Sequence, residues 1–210
     1  MKSCWGQWLL VVGMSLLIAG SYLTWRSLRA GPLPAGNPPS VTEIRDDTPL
    51  PTFSLQGPRG EFGNANLVGQ WNFMFFGYTQ CPDICPTALS LMKDLKAATA
   101  GKQGTPAPGF QVIFVSVDPQ RDTIRLLGEY MAAFDPTFVG LAGTDAALLP
   151  LVRNLGVFYQ RNDATDKRHY TVDHSAAIYL IDPQGRLAAV FSPPQQAAKM
   201  AADFLRIARP

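Results

Sequence analysis

Residues 71–87 read Trp71-Asn72-Phe73-Met74-Phe75-Phe76-Gly77-Tyr78-Thr79-Gln80-Cys81-Pro82-Asp83-Ile84-Cys85-Pro86-Thr87. The apolar run from Trp71 to Phe76 has the length and aromatic content of a buried strand. It breaks at Gly77 into a polar turn, and from Thr87 to Ala98 the residues Leu89, Met92 and Leu95 recur at helical spacing. Two cysteines therefore stand at a strand-to-helix junction. Amides at a helix N-terminus and the helix dipole stabilise a thiolate there, and Pro86 falls in the first turn, where its missing N–H costs nothing. Residues four apart on a helical turn share a side, so the two sulfurs can converge as a disulfide or on one metal ion. A pair of buried thiols or a purely structural disulfide fits the same spacing. A redox pair of the thioredoxin type spaces its cysteines by two residues, so the three-residue gap favours metal ligation.

The rest of the chain repeats this alternation of short apolar runs and amphipathic segments. Phe53-Ser54-Leu55 and Glu61-Phe62-Gly63 suit a hairpin across Gly57-Pro58-Arg59-Gly60. Gln111 to Val117 reads as a second buried strand, Asp122 to Phe134 and Asp145 to Leu155 as helices, Ala176 to Ile181 and Leu187 to Phe191 as strands around Asp182-Pro183-Gln184-Gly185, and Gln195 to Ile207 as a closing helix. The expected fold is α/β, a mixed sheet with helices on both faces.

Ahead of that domain, Ser3 to Trp25 holds 23 residues without a charge, with Trp5, Trp8, Tyr22 and Trp25 near its ends. As a helix it would reach roughly 35 Å, enough for a hydrocarbon core of ~30 Å, and the rings suit the interface. Residues 1–29 are expected to be an uncleaved membrane anchor, one transmembrane helix. Residues 30–50, rich in proline and glycine, are expected to be a semi-extended tether, and 51–210 the folded domain. Arg26 and Arg29 follow the span while Lys2 precedes it, so the charge count does not by itself turn the domain outward.

The chain has 210 residues, 18 Lys+Arg, 16 Asp+Glu and a net charge of +2; Lys2, Arg26 and Arg29 lie in an acid-free leader, and subtracting these 3 leaves the remainder at −1. A near-neutral body without a basic stripe excludes nucleic acid as the partner. Three cysteines are too few for a disulfide scaffold and enough for one site. Cys4, before the apolar run, reads as a stray thiol.

Two thiolates alone satisfy few metals, which directs attention to the two histidines. His174, in Tyr170-Thr171-Val172-Asp173-His174-Ser175, lies just before an expected strand, where a loop side chain can face a neighbouring site. His169 belongs to a charged stretch and is expected to face water. Cys81, Cys85 and His174 form a donor set that suits Cu(I), or Cu(II) with an added weak ligand. Structural zinc normally takes four protein ligands, and the domain offers no third cysteine. A further motif, Val117-Asp118-Pro119-Gln120-Arg121-Asp122, is expected to form an Asx-type turn at Asp118 and a helix N-cap at Asp122. Asp118 and Asp173 are also candidates for carboxylates supporting the site from behind its ligands.

The motifs Gly77 to Thr87, Val117 to Asp122 and Val172 to Ser175 together strongly resemble the three signatures of the Sco/SenC family, in the same order and spacing, over roughly Pro51 to the C-terminus. The resemblance implies a thioredoxin-like fold tethered to a membrane and copper bound through Cys81, Cys85 and His174. It also implies delivery of copper to, or reduction of the cysteines of, the binuclear copper centre in subunit II of cytochrome c oxidase, with exchange among other copper or thiol carriers. Gly57-Pro58 and Gln70 depart from the family pattern outside the metal motifs. The competing functions are a thiol-disulfide reductase without obligatory metal and a peroxidase-like enzyme. A peroxidase needs a cysteine activated by a nearby cation, and the loop from Cys81 to Cys85 offers none. The leader is not the Arg/Ser-rich amphipathic kind of an imported organelle protein, so the expected location is a bacterial inner membrane with the C-terminal domain in the periplasm.

Overall fold

The structure, a computed structural model, describes residues 4–29, 40–100, 108–162 and 170–209. It divides into two compact units, Met1–Pro38 and Pro39–Pro210. In the first, the uncharged segment forms a 26-residue helix, α1 (Cys4–Arg29). Among the described residues no helix is long and apolar enough to cross a membrane, so the expected transmembrane span is not supported. Gly13, Ser15, Gly20, Ser21 and Thr24 dilute the aliphatic run. The side chain of Cys4 and the whole of His169 lie outside the described residues.

The second unit runs β1 (Val41–Glu43), β2 (Ser54–Gly57), β3 (Gly60–Gly63), β4 (Trp71–Gly77), α2 (Ile84–Thr99), β5 (Phe110–Ser116), α3 (Ile124–Ala132), β6 (Val139–Leu141), α4 (Asp145–Leu155), β7 (Tyr159–Asn162), β8 (Thr171–His174), β9 (Ile178–Ile181), β10 (Leu187–Phe191) and α5 (Ala197–Ile207). Six strands make the main sheet in the order β1-β10-β9-β4-β5-β6. β4, β5 and β6 are parallel and β9, β10 and β1 antiparallel, the mixed sheet expected. Val41–Glu43, expected in the tether, instead extends this sheet along β10; an edge strand of three residues needs only one partner and lies beyond the prolines at 38 and 39. β2 and β3 form the expected hairpin, and β7 and β8 form a separate two-stranded sheet.

Alternation along β4 explains how one strand serves two cores. Met74 and Phe76 face one side with Ile113, Val115, Leu148 and Leu151, which brings in α4 and the β2–β3 hairpin. Phe73 and Phe75 face the other with Leu89, Met92, Leu127 and Phe204, which brings in α2, α3 and α5. Successive strand side chains point to opposite faces, so a strand covered on both sides is apolar throughout. Helices therefore cover both faces, as anticipated. The parallel strands β4 and β5 end side by side at Gly77 and Ser116, so the loops that follow them share one edge of the sheet, where ligands collect in such folds.

Candidate metal centre

Glycine at 77 is demanded by the site itself. A Cβ there would lie 2.4 Å from Cys85 Sγ and 2.9 Å from Phe114 Cε2, closer than real carbon contacts allow. Beyond it the chain turns, with the Cys81 N–H donating to Tyr78 C=O (3.2 Å), and enters α2 at Ile84. The helix starts three residues earlier than the spacing of its leucines indicates, which places Cys85 and Pro86 in its first turn. The Cys85 N–H donates to Cys81 Sγ at 3.4 Å, the helix-terminus interaction expected of that junction. Cys85 is fully buried, packed among Phe75, Phe114 and Leu89, whereas Cys81 is half-buried at the boundary of both cores. Both are free thiols.

His174 closes the set. It ends β8 rather than sitting in a loop, and its Nε2 lies 3.4 Å from Cys85 Sγ and 3.8 Å from Cys81 Sγ. Its Nδ1 lies 3.0 Å from the Ser175 carbonyl; with Nδ1–H donating there, the Nε2 lone pair faces the sulfurs. Phe75 and Tyr78 pack edge-on against the imidazole, with ring centroids 5.8 and 5.9 Å away. The three ligand atoms lie within 4.8 Å of one another, the one such cluster among the described residues. Two soft sulfurs and an unprotonated ring nitrogen fit copper by donor chemistry.

The two thiols are inequivalent. The Cys85 thiol donates to Cys81, and this bond, with further help from the backbone amides of Cys85 and Asp83, lowers Cys81 to about 3 against the cost of its burial. The same bond and deeper burial push Cys85 up. Cys81 is thus the thiolate and Cys85 the proton holder.

The second motif supports the site in a way its sequence did not reveal. Asp118 is wholly buried, and its turn is closed by backbone bonds from Arg121 and Asp122 to its carbonyl (3.1 and 3.0 Å), not by its carboxylate as an Asx turn would be. That carboxylate accepts from Arg121 Nε at 2.5 Å and from the Tyr170 hydroxyl, and touches none of the three ligands. Asp122 is not the N-cap of α3; Thr123 is, accepting from Leu126 N–H. Asp122 is buried instead, accepting from Ser116 Oγ (2.6 Å), Thr79 Oγ1 (2.5 Å) and Thr79 N–H (3.1 Å), so it ties the cysteine loop to β5, and burial raises its carboxyl above the ordinary range. Asp173 is exposed; one position before His174 on β8, it projects from the opposite side of the strand. Sequence reasoning missed Arg121, Tyr170 and Gly77 as site residues. The Asp118 to Arg121 spacing, three apart in an irregular segment, was the available signal for the first.

A family model described as SCO1/SenC matches residues 43–209. The Protein SCO2 homolog, mitochondrial, of Bos taurus is 36% identical over 141 residues, 67% of this chain and 52% of that protein, so the chain spans about half the length of that relative. The SCO2-like protein RP587 of Rickettsia prowazekii is 34% identical over 180 residues, covering 84% of this chain and 85% of its own. The solved structure of Bradyrhizobium japonicum ScoI with copper bound shares 34% identity at a TM-score of 0.66, covering 76% of this chain and 99% of that one. That of Arabidopsis thaliana ScoI with copper bound shares 28% at a TM-score of 0.69, covering 76% and 98%.

Proposed function

Since this chain belongs to the SCO1/SenC family, we propose that it is a copper carrier that holds its cargo through Cys81, Cys85 and His174. Its role in this reading is to assist metallation of the binuclear copper centre of cytochrome c oxidase subunit II. The observation that carries the proposal is the convergence of two sulfurs and one imidazole nitrogen within 4.8 Å, from segments far apart in sequence. Cys81 is ready as a thiolate, Cys85 releases its proton on binding, and His174 presents Nε2 because Nδ1 is held by Ser175. Attachment to a bacterial inner membrane, with the domain in the periplasm, belongs to the same reading. Its support is the set of exposed apolar side chains on α1, Leu16, Leu17 and Ile18 among them, which suit a lipid environment.

A second reading, reduction of a partner's cysteines, is favoured by the inequivalence of the thiols. The half-buried Cys81 thiolate would attack a partner disulfide and release one partner thiolate. Cys85, losing its proton, would then attack the mixed disulfide, leaving a Cys81–Cys85 disulfide and two partner thiols. His174→Ala separates the two. The carrier reading expects at least a ~10-fold loss of Cu(I) affinity with thiol exchange intact. Undiminished copper affinity would remove His174 from the site, and a reduced wild-type chain that exchanges thiols but holds no copper tightly would favour the reductase.

A further inference from the structure

His174 is the one proposed ligand that the main sheet does not hold. It lies on the β7–β8 hairpin, whose strands pair with each other and not with the six-stranded sheet. Cys81 belongs to the loop after β4 and Cys85 to the first turn of α2. Val172 of the hairpin packs in one core with Met74 and Phe76, and Arg161 of β7 donates to the Val117 carbonyl at 3.2 Å; Arg121 adds a polar bridge that touches both the hairpin and the cysteine loop. Its Nη1 donates to the Tyr170 carbonyl at 2.9 Å, at the base of β8, and to Gln80 Oε1 at 3.1 Å, next to Cys81. Its Nε is fixed by the buried Asp118 carboxylate, which also takes the Tyr170 hydroxyl. The guanidinium lies over the Tyr170 ring at 3.5 Å and near the Tyr78 ring at 5.5 Å, and Tyr78 in turn packs against His174.

We propose that Arg121 is a positioning residue for the copper site, latching the His174 hairpin to the cysteine loop through Asp118, Tyr170 and Gln80. A planar fork can donate in three directions and stack at the same time. A lysine ammonium cannot, so charge alone does not replace it. With the latch open, the cysteines stay where β4 and α2 hold them and His174 loses its fixed distance from them. This inference rests on the copper-carrier reading for its consequence, but the latch itself is testable without metal.

The test uses the full-length chain, reduced and metal-free, and compares amide hydrogen exchange in the wild type and Arg121→Lys. Exchange at residues 170–174 should rise at least about 10-fold in the variant, while residues 73–76 and 112–115 of the main sheet keep wild-type protection. Cu(I) affinity, measured by competition with a chromophoric chelator, should fall about 10–100-fold, as when outer-shell support is lost. Wild-type exchange at residues 170–174 would overturn the proposal. So would a uniform rise across both segments, which would mark Arg121 as a general stabiliser. If Arg121→Lys fails to fold, Tyr170→Phe removes only the hydroxyl bond to Asp118, and the same local rise, smaller, is required of it. A wild-type chain that fails to bind copper would refute the function reading while leaving the exchange result to decide the latch.

Discussion

Adding a single methyl group at Gly77 tests how tightly the fold and the metal centre are coupled. In Gly77→Ala the new Cβ would stand 2.4 Å from Cys85 Sγ and 2.9 and 3.0 Å from two carbons of the Phe114 ring. Non-bonded heavy atoms settle at about 3.5–4.0 Å, so the sulfur, the ring or the strand must yield by roughly 1 Å. Phe114 is fully buried between packed helices and has nowhere to retreat. Overpacking of this kind costs about 1–3 kcal/mol, which at roughly 2–4 °C per kcal/mol for a chain of this size lowers Tm by about 2–12 °C. The effect on the site is larger in proportion. Ligand distances must hold to within about 0.2 Å, and moving Cys85 Sγ by roughly 1 Å should weaken Cu(I) binding at least about 10-fold. Thermal unfolding of the reduced, metal-free protein and a chelator-competition titration measure the two effects. Gly128→Ala, where a Cβ meets nothing within 4 Å inside α3, is the control and should gain about 0.5–1 kcal/mol. Wild-type Tm and wild-type copper affinity in Gly77→Ala would refute the reasoning.

Three further outcomes are expected. Brief alkylation of the reduced, metal-free protein at pH 5 should label Cys81 and spare Cys85, because the first is a half-buried thiolate and the second a fully buried thiol; mass spectrometry showing Cys85 labelled first would reverse the assignment. The folded-state pKa of Cys81, about 3, lies below its ordinary 9.0, so its contribution to stability is fully present above the ordinary value and declines as pH falls towards 3. The stability gap between wild type and Cys81→Ser, followed by denaturant unfolding, should therefore narrow from pH 7 to pH 4, and a widening gap would contradict it. Asp122→Asn turns an acceptor that receives three bonds into a group with only one acceptor oxygen; a loss of about 1–3 kcal/mol follows from the unsatisfied groups, and unchanged stability would show that the tie between the cysteine loop and β5 carries no energy.

The elements legible in the sequence were those whose pattern is long relative to their noise. The helix Asp145–Leu155 appears with the bounds its apolar spacing indicated, and the strand from Trp71 and the hairpin around Pro58-Arg59 appear where their residues place them. β6 escaped because three residues make too short a run to show a period, and its buried state depends on β5 beside it. The β7–β8 hairpin escaped because its strands are joined by residues 163–170, without the short turn that advertises a hairpin, and are stabilised by contacts remote in sequence. That omission is why His174 was expected in a loop and Asp173 near the site; once β8 is a strand, alternation separates the two residues. The cysteines could be read directly from their junction. The structure makes Asp118 an anchor for Arg121 and Tyr170 and Asp122 a clasp on Thr79 and Ser116; Arg121 and Ser116 lie three and six positions from their partners, but Thr79 and Tyr170 lie 43 and 52 positions from theirs. No local pattern encodes them.

Copper binding set by the oxidation state of the cysteine pair is the claim on which the rest depends. A disulfide between Cys81 and Cys85 would remove two of the three donors at once, leaving His174 alone. The most direct measurement is a Cu(I) titration of the full-length protein in two forms, fully reduced and oxidised with both thiols shown to be blocked, with X-ray absorption of the loaded form to identify the donors. One copper should be held tightly per reduced chain, bound by two sulfurs and one nitrogen, with no tight binding to the oxidised chain. Tight stoichiometric binding by the oxidised protein would place the ligands elsewhere and contradict the assignment of Cys81, Cys85 and His174.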